Sequence, residues 1–144
     1  MTEHDYDLLP GLIGYNLRRA QTAVFQDFSE GLKDCDITPG QFGVLVLIAA
    51  NGGLNQTSLG RALGIDRSTV VAVIDKLDGR GLVNRAPAPS DRRSYSLRLS
   101  DQGSALLARA TALVAEHEKR IAHDLTGPEQ RQLIELLARL GGGQ

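Results

Sequence analysis

Two short helical patterns joined by a tight turn constrain the fold of this chain more than any other feature. The first pattern covers about residues 56 to 63 and the second about residues 67 to 80. Between them stands Gly64-Ile65-Asp66, in which Asp66 is placed to cap the second helix. Two helices joined by a short Gly-containing turn are typical of a helix-turn-helix.

A predicted β-hairpin follows the second helix, which Gly81 ends. Residues 82 to 86 and 95 to 99 have the lengths of short strands. In the later segment apolar residues alternate with polar ones, which is the pattern of a half-buried strand. The hairpin is called the wing below, and a winged helix-turn-helix is expected over residues 38 to 100.

Helical patterns also flank this unit on both sides. Residues 8 to 33 keep apolar groups near helical spacing. Thr38-Pro39-Gly40-Gln41 has the signature of a capping box, before a helix that is apolar on nearly every side and should be buried. Ser100 can cap a long helix to about residue 123, and residues 126 to 129 open a last one. The expected fold class is mainly α with a small β-hairpin wing: four helices, the wing, then two helices.

The flanking helices carry more apolar surface than one winged helix can cover. A partner chain would bury these faces, and the alternative is burial within one chain as a helical bundle. We interpret residues 1 to 144 as a single domain in which residues 5 to 34 and 101 to 141 form a helical dimerisation part. The apolar positions lie in three stripes: Leu106, Ala110, Leu113 and His117; Leu107, Val114 and Ile121; and Leu133, Leu136, Leu137 and Leu140.

The formal net charge of −1 conceals an uneven charge distribution. Residues 61 to 98 contain eight Lys or Arg against four Asp, a balance of +4. The rest of the chain carries eight basic and thirteen acidic residues, a balance of −5. Positive charge concentrated in a quarter of the sequence is typical of a surface that binds a polyanion such as double-stranded DNA.

The sequence also indicates the compartment. No apolar run approaches the roughly 18 residues of a membrane span, and the acidic N-terminus lacks the basic and apolar regions of a signal peptide. Cys35 is the single cysteine and cannot form an internal disulfide. We therefore expect a cytoplasmic protein with no membrane partner.

The second helix of the helix-turn-helix has a face that fits a DNA groove. Its inward stripe is Val70, Ile74 and Leu77. The side chains on the opposite face are small in the first turns, so that face fits a major groove about 12 Å wide. Polar side chains there can reach base edges or phosphates, and Val71 and Ala72 can meet thymine methyl groups. A face of small side chains is equally suited to packing against another helix. The predicted wing favours DNA binding over that alternative. The predicted DNA contacts outside the wing are Gln56, Thr57, Arg61, Arg67, Ser68, Thr69, Val71, Ala72 and Lys76.

Motifs of catalysis and cofactor binding are missing from the sequence. It contains no G-x-G-x-x-G, G-x-x-x-x-G-K, H-E-x-x-H or G-x-S-x-G, so we expect no enzyme activity and no cofactor. Glu116, His117 and Asp124 are interpreted as a solvated helix face instead of a zinc site, and no metal is expected. The rival to a DNA-binding regulator is a protein–protein adaptor that uses the winged helix as an interaction module.

One stretch joins these features in a specific order: Asp91-Arg92-Arg93-Ser94, then the strand residues Leu97 and Leu99, then Ser100-Asp101-Gln102-Gly103. In this order and spacing the chain resembles the MarR family of bacterial transcriptional regulators, from about Leu8 to Leu140. Gly81-Leu82-Val83 also matches the family. Ser100 takes the place of a threonine in the family's helix start, which exchanges one capping residue for another.

The resemblance implies a homodimeric repressor that binds a pseudo-palindromic operator. By position, Arg93 would enter the minor groove, Asp91 would orient it, and Arg92 would lie near a phosphate. A narrow A·T-rich minor groove concentrates negative potential, and the weakly hydrated guanidinium suits it.

The resemblance also implies an effector, because similar regulators often bind phenolic or other aromatic carboxylates beside the dimerisation helices. In this chain Tyr15 and Phe42 would offer aromatic contacts, and Arg18 or Arg19 would pair with the carboxylate. Core packing of the aromatic residues and solvation of the arginines are the alternative. The peroxide-sensing branch carries its cysteine near the start of the first helix, whereas Cys35 follows that helix, so no redox role is expected.

Overall fold

The computed structural model describes residues 3 to 88 and 91 to 142, without the side chains of residues 88 and 91 to 94. Within these ranges the chain forms six α-helices and one three-stranded antiparallel sheet, with a short 3-10 turn before the first helix and after the last. The elements in chain order are α1 (Ile13–Gly31), α2 (Pro39–Ala50), β1 (Leu54–Asn55), α3 (Gln56–Leu63), α4 (Arg67–Gly79), β2 (Val83–Ala88), β3 (Asp91–Leu99), α5 (Asp101–Ile121) and α6 (Gly127–Arg139).

Local hydrogen bonds fix the helix starts, and the predicted caps are confirmed. At α2 the Thr38 hydroxyl accepts from the Gln41 N–H while the Gln41 side chain accepts from the Thr38 N–H, which completes the capping box. Ser100 caps α5 in the same way by accepting from the N–H of Gly103. The first helix begins later than expected, at Ile13, because Leu12 is extended (φ −97°, ψ 135°) and separates α1 from the 3-10 turn.

The sheet has the order β1-β3-β2, so β3 is its central strand. β2 and β3 form the wing, with Val83 opposite Leu99 and Pro87 opposite Tyr95. β1 was not predicted, because a two-residue strand is too short to show an alternating pattern. Its Leu54 pairs with Leu97 and attaches the start of α3 to the wing.

The core lies between α2, α4 and the base of the wing. Val44, Leu45 and Ile48 of α2 are buried together with Val70, Ile74 and Leu77 of α4 and with Leu97 of β3. The expectation that α2 is buried is confirmed for Val44, Leu45 and Ile48, whereas Val46 is 39% exposed within this chain. The inward stripe predicted for α4 is confirmed.

The apolar stripes of α5 and α6 differ in how they are covered. Leu106, Ala110 and His117 are buried within the chain, against α1 and α2, so this stripe does not need a partner. The sequence-based assignment of that stripe to dimerisation is therefore wrong, and burial within one chain describes it. By contrast, no residue of α6 is buried, and Leu133, Leu136, Leu137 and Leu140 are all more than 40% exposed.

None of the helices in the described residues is long and apolar enough to cross a membrane.

Candidate nucleic-acid interface

Helix α4 is fixed by its buried stripe, so its outer face is held in a defined orientation. The outer residues Arg67, Ser68, Ala72 and Lys76 are exposed, whereas Val71 is half-buried. The predicted contacts on α4 therefore share one solvent-facing surface, except that Val71 presents only part of its side chain. Apart from Arg67 at its start, this surface has short side chains in its first two turns and a lysine in its third.

Asp66 orders the start of α4. Its carboxylate accepts from the N–H of Thr69 at 3.0 Å and from the hydroxyl of Ser68 at 3.1 Å. These hydrogen bonds, from Thr69 first and then Ser68, lower the pKa of Asp66 from its usual value of 3.8. The carboxylate thus stays ionised and holds the Ser68 hydroxyl at the N-terminal end of α4. Ser68 and Thr69 have a structural partner in addition to any role at DNA.

Helix α3 packs against α4. Thr57 and Arg61 are exposed and Gln56 is half-buried. Asn55 caps α3, since its side-chain oxygen accepts from the N–H of Ser58 at 2.7 Å. The free N–H groups of this first turn, together with Gln56 and Thr57, can meet a phosphate.

The wing arginines lie on β3. The backbone of Asp91, Arg92 and Arg93 belongs to that strand, and Asp91 pairs with Ala88. Their side chains lie outside the described part of the structure. Their predicted contacts with the minor groove and the phosphates therefore stay predictions.

Sequence reasoning missed Arg85, which ties the wing to α4. One Nη of Arg85 lies 2.5 Å from Asp75 and its Nε donates to Asp78 at 3.1 Å. The guanidinium also lies 5.9 Å from the centroid of the Tyr95 ring. The hydrogen bond that Arg85 donates to Asp75, with a second donated to Asp78, raises the pKa of Arg85 above its usual value. Asp75 thus joins α4 to the wing.

Helices α1 and α5 are joined by a polar cluster in which His117 is buried, Asp27 is half-buried and Arg120 is exposed. The Nδ1 of His117 lies 2.8 Å from an oxygen of Asp27, and Arg120 binds both oxygens of that carboxylate at 2.8–3.1 Å. Hydrogen bonds from Arg120 and then His117 lower the pKa of Asp27 to about 2. The expectation that His117 lies on a solvated face is wrong: it is 3% exposed and packs edge-on against Phe28. Among the described residues no three His, Cys, Asp or Glu side chains are grouped to hold a metal.

The four predicted effector residues do not converge within one chain. Tyr15 and Arg19 pair on α1, with the guanidinium 5.7 Å from the ring centroid. Arg18 lines a groove of about 840 Å³ along α1, with Gly14, Leu17, Gln21, Thr22, Phe25, Gln26 and Ser29. Phe42 packs against the core and contacts Phe28 at 6.4 Å between centroids. Arg18 therefore lines the groove, Tyr15 and Arg19 form a pair on α1, and Phe42 packs against the core.

Cys35 is fully buried in the loop between α1 and α2. One Nη of Arg109 lies 3.7 Å from its sulfur. The side chain fills the core beneath this loop, as expected of a small residue there.

Comparison with known proteins agrees with this geometry. A relative from Thauera aromatica, named as a regulatory protein for the hcr operon, is 38% identical over 92% of this chain and 80% of its own length. The solved structure of the repressor CouR with a 23-mer DNA duplex is 46% identical, has a TM-score of 0.90, and covers 95% of this chain and 97% of CouR. CouR bound to p-coumaroyl-CoA is 43% identical with a TM-score of 0.87, over 94% and 96%. The family model matches residues 37–95, and the chain belongs to the MarR family of winged-helix transcriptional regulators.

Proposed function

We propose that this protein is a non-catalytic transcriptional repressor that binds a pseudo-palindromic DNA operator as a homodimer and is released by an aromatic, phenolic ligand. The observation that carries the proposal is the orientation of α4. Its apolar stripe is anchored in the core, while Arg67, Ser68, Ala72 and Lys76 remain exposed, and α3 and strand β2 of the wing pack against the same helix. A helix presented this way is the part of a winged helix that enters the major groove.

Two neighbouring surfaces support the DNA-binding part of the proposal. The first turn of α3 offers backbone N–H groups to a phosphate beside the groove. Arg85 holds the wing against α4, so the wing's own arginines would reach the minor groove next to the same site. Arg93 in the minor groove and Arg92 at a phosphate follow from family resemblance and belong to the proposal.

Exposed apolar side chains support the homodimer. They cluster on α6, on the first turns of α1 and on the segment before it: Tyr6, Leu8, Leu9, Leu12, Ile13, Leu17, Leu133, Ile134, Leu136, Leu137 and Leu140. Grooves between these two regions are lined mainly by leucine and isoleucine. A second copy of the chain would bury this surface and set two α4 helices about one DNA turn, roughly 34 Å, apart.

The effector part rests on the groove along α1 and on the relatives. Leu17 and Phe25 give the groove apolar walls, and Arg18 stands at its side as a carboxylate or carbonyl partner. CouR, the repressor of similar fold, has been solved with p-coumaroyl-CoA. A ligand that prefers a half-site spacing unlike one DNA turn would weaken operator binding by linkage.

The test begins with selection of duplexes retained by the purified protein from a genomic pool, followed by affinity and mass measurements. We expect a dimeric mass at micromolar concentration and an affinity that falls with salt, with a slope near −0.9 per displaced phosphate contact. Arg93→Ala should cost about 1–3 kcal/mol of operator binding, and Ala72→Glu should block groove entry. Lys119→Ala, on the exposed face of α5, is the control and should bind as the wild type does. Absence of duplex binding at low salt would overturn the proposal in favour of an adaptor.

A further inference from the structure

Arg80, at the end of the DNA-facing helix α4, binds the loop that follows the first helix. Its backbone is fixed in the last turn of α4, where its N–H donates to the carbonyl of Lys76 at 3.2 Å. Its guanidinium donates to the backbone carbonyls of Asp36 at 2.6 Å and Cys35 at 2.9 Å. One side chain thus connects α4 to a loop that lies 44 and 45 positions earlier in the chain.

The loop that Arg80 binds is itself anchored. Leu32, Cys35 and Ile37 belong to the buried core. Asp36 between them has a left-handed backbone with φ 52°, and its N–H donates to the carbonyl of Leu32 at 3.1 Å. A residue other than glycine keeps that conformation only where its surroundings hold it. The two carbonyls therefore offer Arg80 a fixed point of attachment.

The contact joins two parts of the molecule that have different tasks in the proposed function. The loop begins at the end of α1, which lies in the part assigned to dimerisation, whereas α4 is the helix proposed to read DNA. The guanidinium of Arg80 is planar and holds its N–H donors in a fixed geometry, so binding two carbonyls defines an orientation as well as a distance. Any tilt of α4 relative to the end of α1 breaks this pair of hydrogen bonds.

A small tilt at this contact produces a large displacement at the DNA-facing end of α4. Ser68 lies twelve positions before Arg80, or about 18 Å along the helix. A tilt of about 5° pivoting at Arg80 displaces Ser68 by about 1.6 Å over that length. Hydrogen-bond distances vary over only about 0.5 Å, so such a tilt separates Ser68 from a base edge that it contacts.

We propose that Arg80 is a positioning residue that fixes the angle of α4 relative to the first helix and thereby sets the half-site spacing that the dimer accepts. This inference rests on the proposed function, because it requires a homodimer on a pseudo-palindromic operator. One added base pair shifts a half-site by about 3.4 Å and rotates it by about 35°. A dimer whose two α4 helices are held at one angle cannot follow that change, whereas a dimer without the Arg80 contact follows it in part.

The experiment measures how strongly the spacing of the half-sites affects binding. The probe is the tightest-binding duplex selected from the genomic pool, and it is compared with duplexes in which one base pair is inserted or deleted at the centre of symmetry. Fluorescence anisotropy gives the affinity of the full-length protein for each duplex. The spacing penalty is the affinity for the original duplex divided by that for the altered one. A loss of folded protein lowers binding to both alike and cancels in this ratio.

We expect a spacing penalty of at least about tenfold for the wild type, comparable to the loss of a base contact. Arg80→Ala should reduce the penalty at least about threefold, within the range of coupling between residues in one network. Arg80 is exposed and the buried stripe of α4 does not include it, so this variant should fold, which circular dichroism checks. Arg80→Lys keeps the charge but replaces the planar fork with one ammonium group; its penalty should also fall, and it serves if Arg80→Ala does not fold. Lys119→Ala, the control on α5, should keep the full penalty.

The contrary outcomes separate this inference from the proposed function. An equal spacing penalty in the wild type and the Arg80 variants refutes the positioning role and leaves the proposed function standing. A salt slope that is smaller by about 0.9 in Arg80→Ala assigns Arg80 to a phosphate contact and also refutes the positioning role. If the wild type binds all the duplexes equally, there is no spacing for Arg80 to set and the inference is overturned. If the pool yields no bound duplex, or if the protein is a monomer, the proposed function fails and the inference fails with it.

Discussion

Among the described glycines, Gly103 leaves the least space for a side chain, and replacing it with alanine gives a sharp test of the fold. A Cβ on Gly103 would lie 2.0 Å from the carbonyl oxygen of Leu82 and 2.9 Å from its carbonyl carbon. That carbonyl is already fixed, because it accepts from the N–H of Ser100 at 3.0 Å. The first turn of α5 therefore rests directly on the backbone where α4 leads into the wing.

The cost of Gly103→Ala follows from the displacement that it requires. Carbon–oxygen contacts are normally about 3.3–3.6 Å, so the start of α5 and Leu82 must separate by more than about 1 Å. Overpacking of a close-packed contact costs about 1–3 kcal/mol, and the higher helix propensity of alanine returns about 0.5–1 kcal/mol. Because backbone atoms cannot swing aside as a side chain can, we expect a net loss of about 1–2 kcal/mol or more.

Thermal and urea unfolding at equal protein concentration measure this loss. For a loss of about 1–2 kcal/mol in a domain of this length, the melting temperature should fall by about 2–8 °C. Gly79→Ala is the matched control: Gly79 is also helical, a Cβ there meets nothing within 4 Å, and its backbone is not left-handed. We expect that variant to be as stable as the wild type or up to about 1 kcal/mol more stable. Equal stability of the two alanine variants would refute the close-contact argument.

Three further perturbations test other contacts. Arg85→Ala removes the ion pairs with Asp75 and Asp78 and the contact with Tyr95. We expect the free energy of unfolding in urea to fall by about 1–2 kcal/mol and operator binding to weaken. An unchanged operator affinity would show that the position of the wing does not depend on its contact with α4. Asp27 has a pKa lowered from 3.8 to about 2, so its ionised form stabilises the fold above pH 3.8 and this contribution is lost as the pH falls towards 2. The stability difference between wild type and Asp27→Asn should therefore shrink over that interval in acid titrations, and a constant difference would contradict the assignment. Thr38→Ala removes the hydroxyl that accepts from the Gln41 N–H at 3.1 Å and should lower the free energy of unfolding by about 1 kcal/mol. Thr38→Ser keeps a hydroxyl and should retain most of the stability. Equal losses in the two variants would exclude capping as the cause.

Family membership rests on features that lie close together in the sequence. The wing motif, the glycine after α4 and the helix start at Ser100 occupy consecutive stretches, and their order was enough to identify the fold. The DNA-facing residues of α4 followed from a period of 3.6 residues, because a helix with Val70 and Ile74 buried must present Ala72 outward. The same periodicity could not identify which stripe of α5 is covered within the chain. An apolar stripe has the same sequence pattern whether it packs against the same chain or against a partner.

The sequence by itself determined the helices, their caps and the inward face of α4, because each depends on hydrogen bonds or periodicities that span only a few residues. Only the tertiary structure decided the long-range polar contacts. Asp27 and Arg120 are 93 positions apart, and Arg80 reaches Cys35 and Asp36 across more than 40. The groove lined by Lys33, Lys76 and Arg80 likewise lies where three helices and a loop meet. Such pairings produce no periodic pattern in the sequence, because the tertiary fold brings these residues together and their local conformation does not.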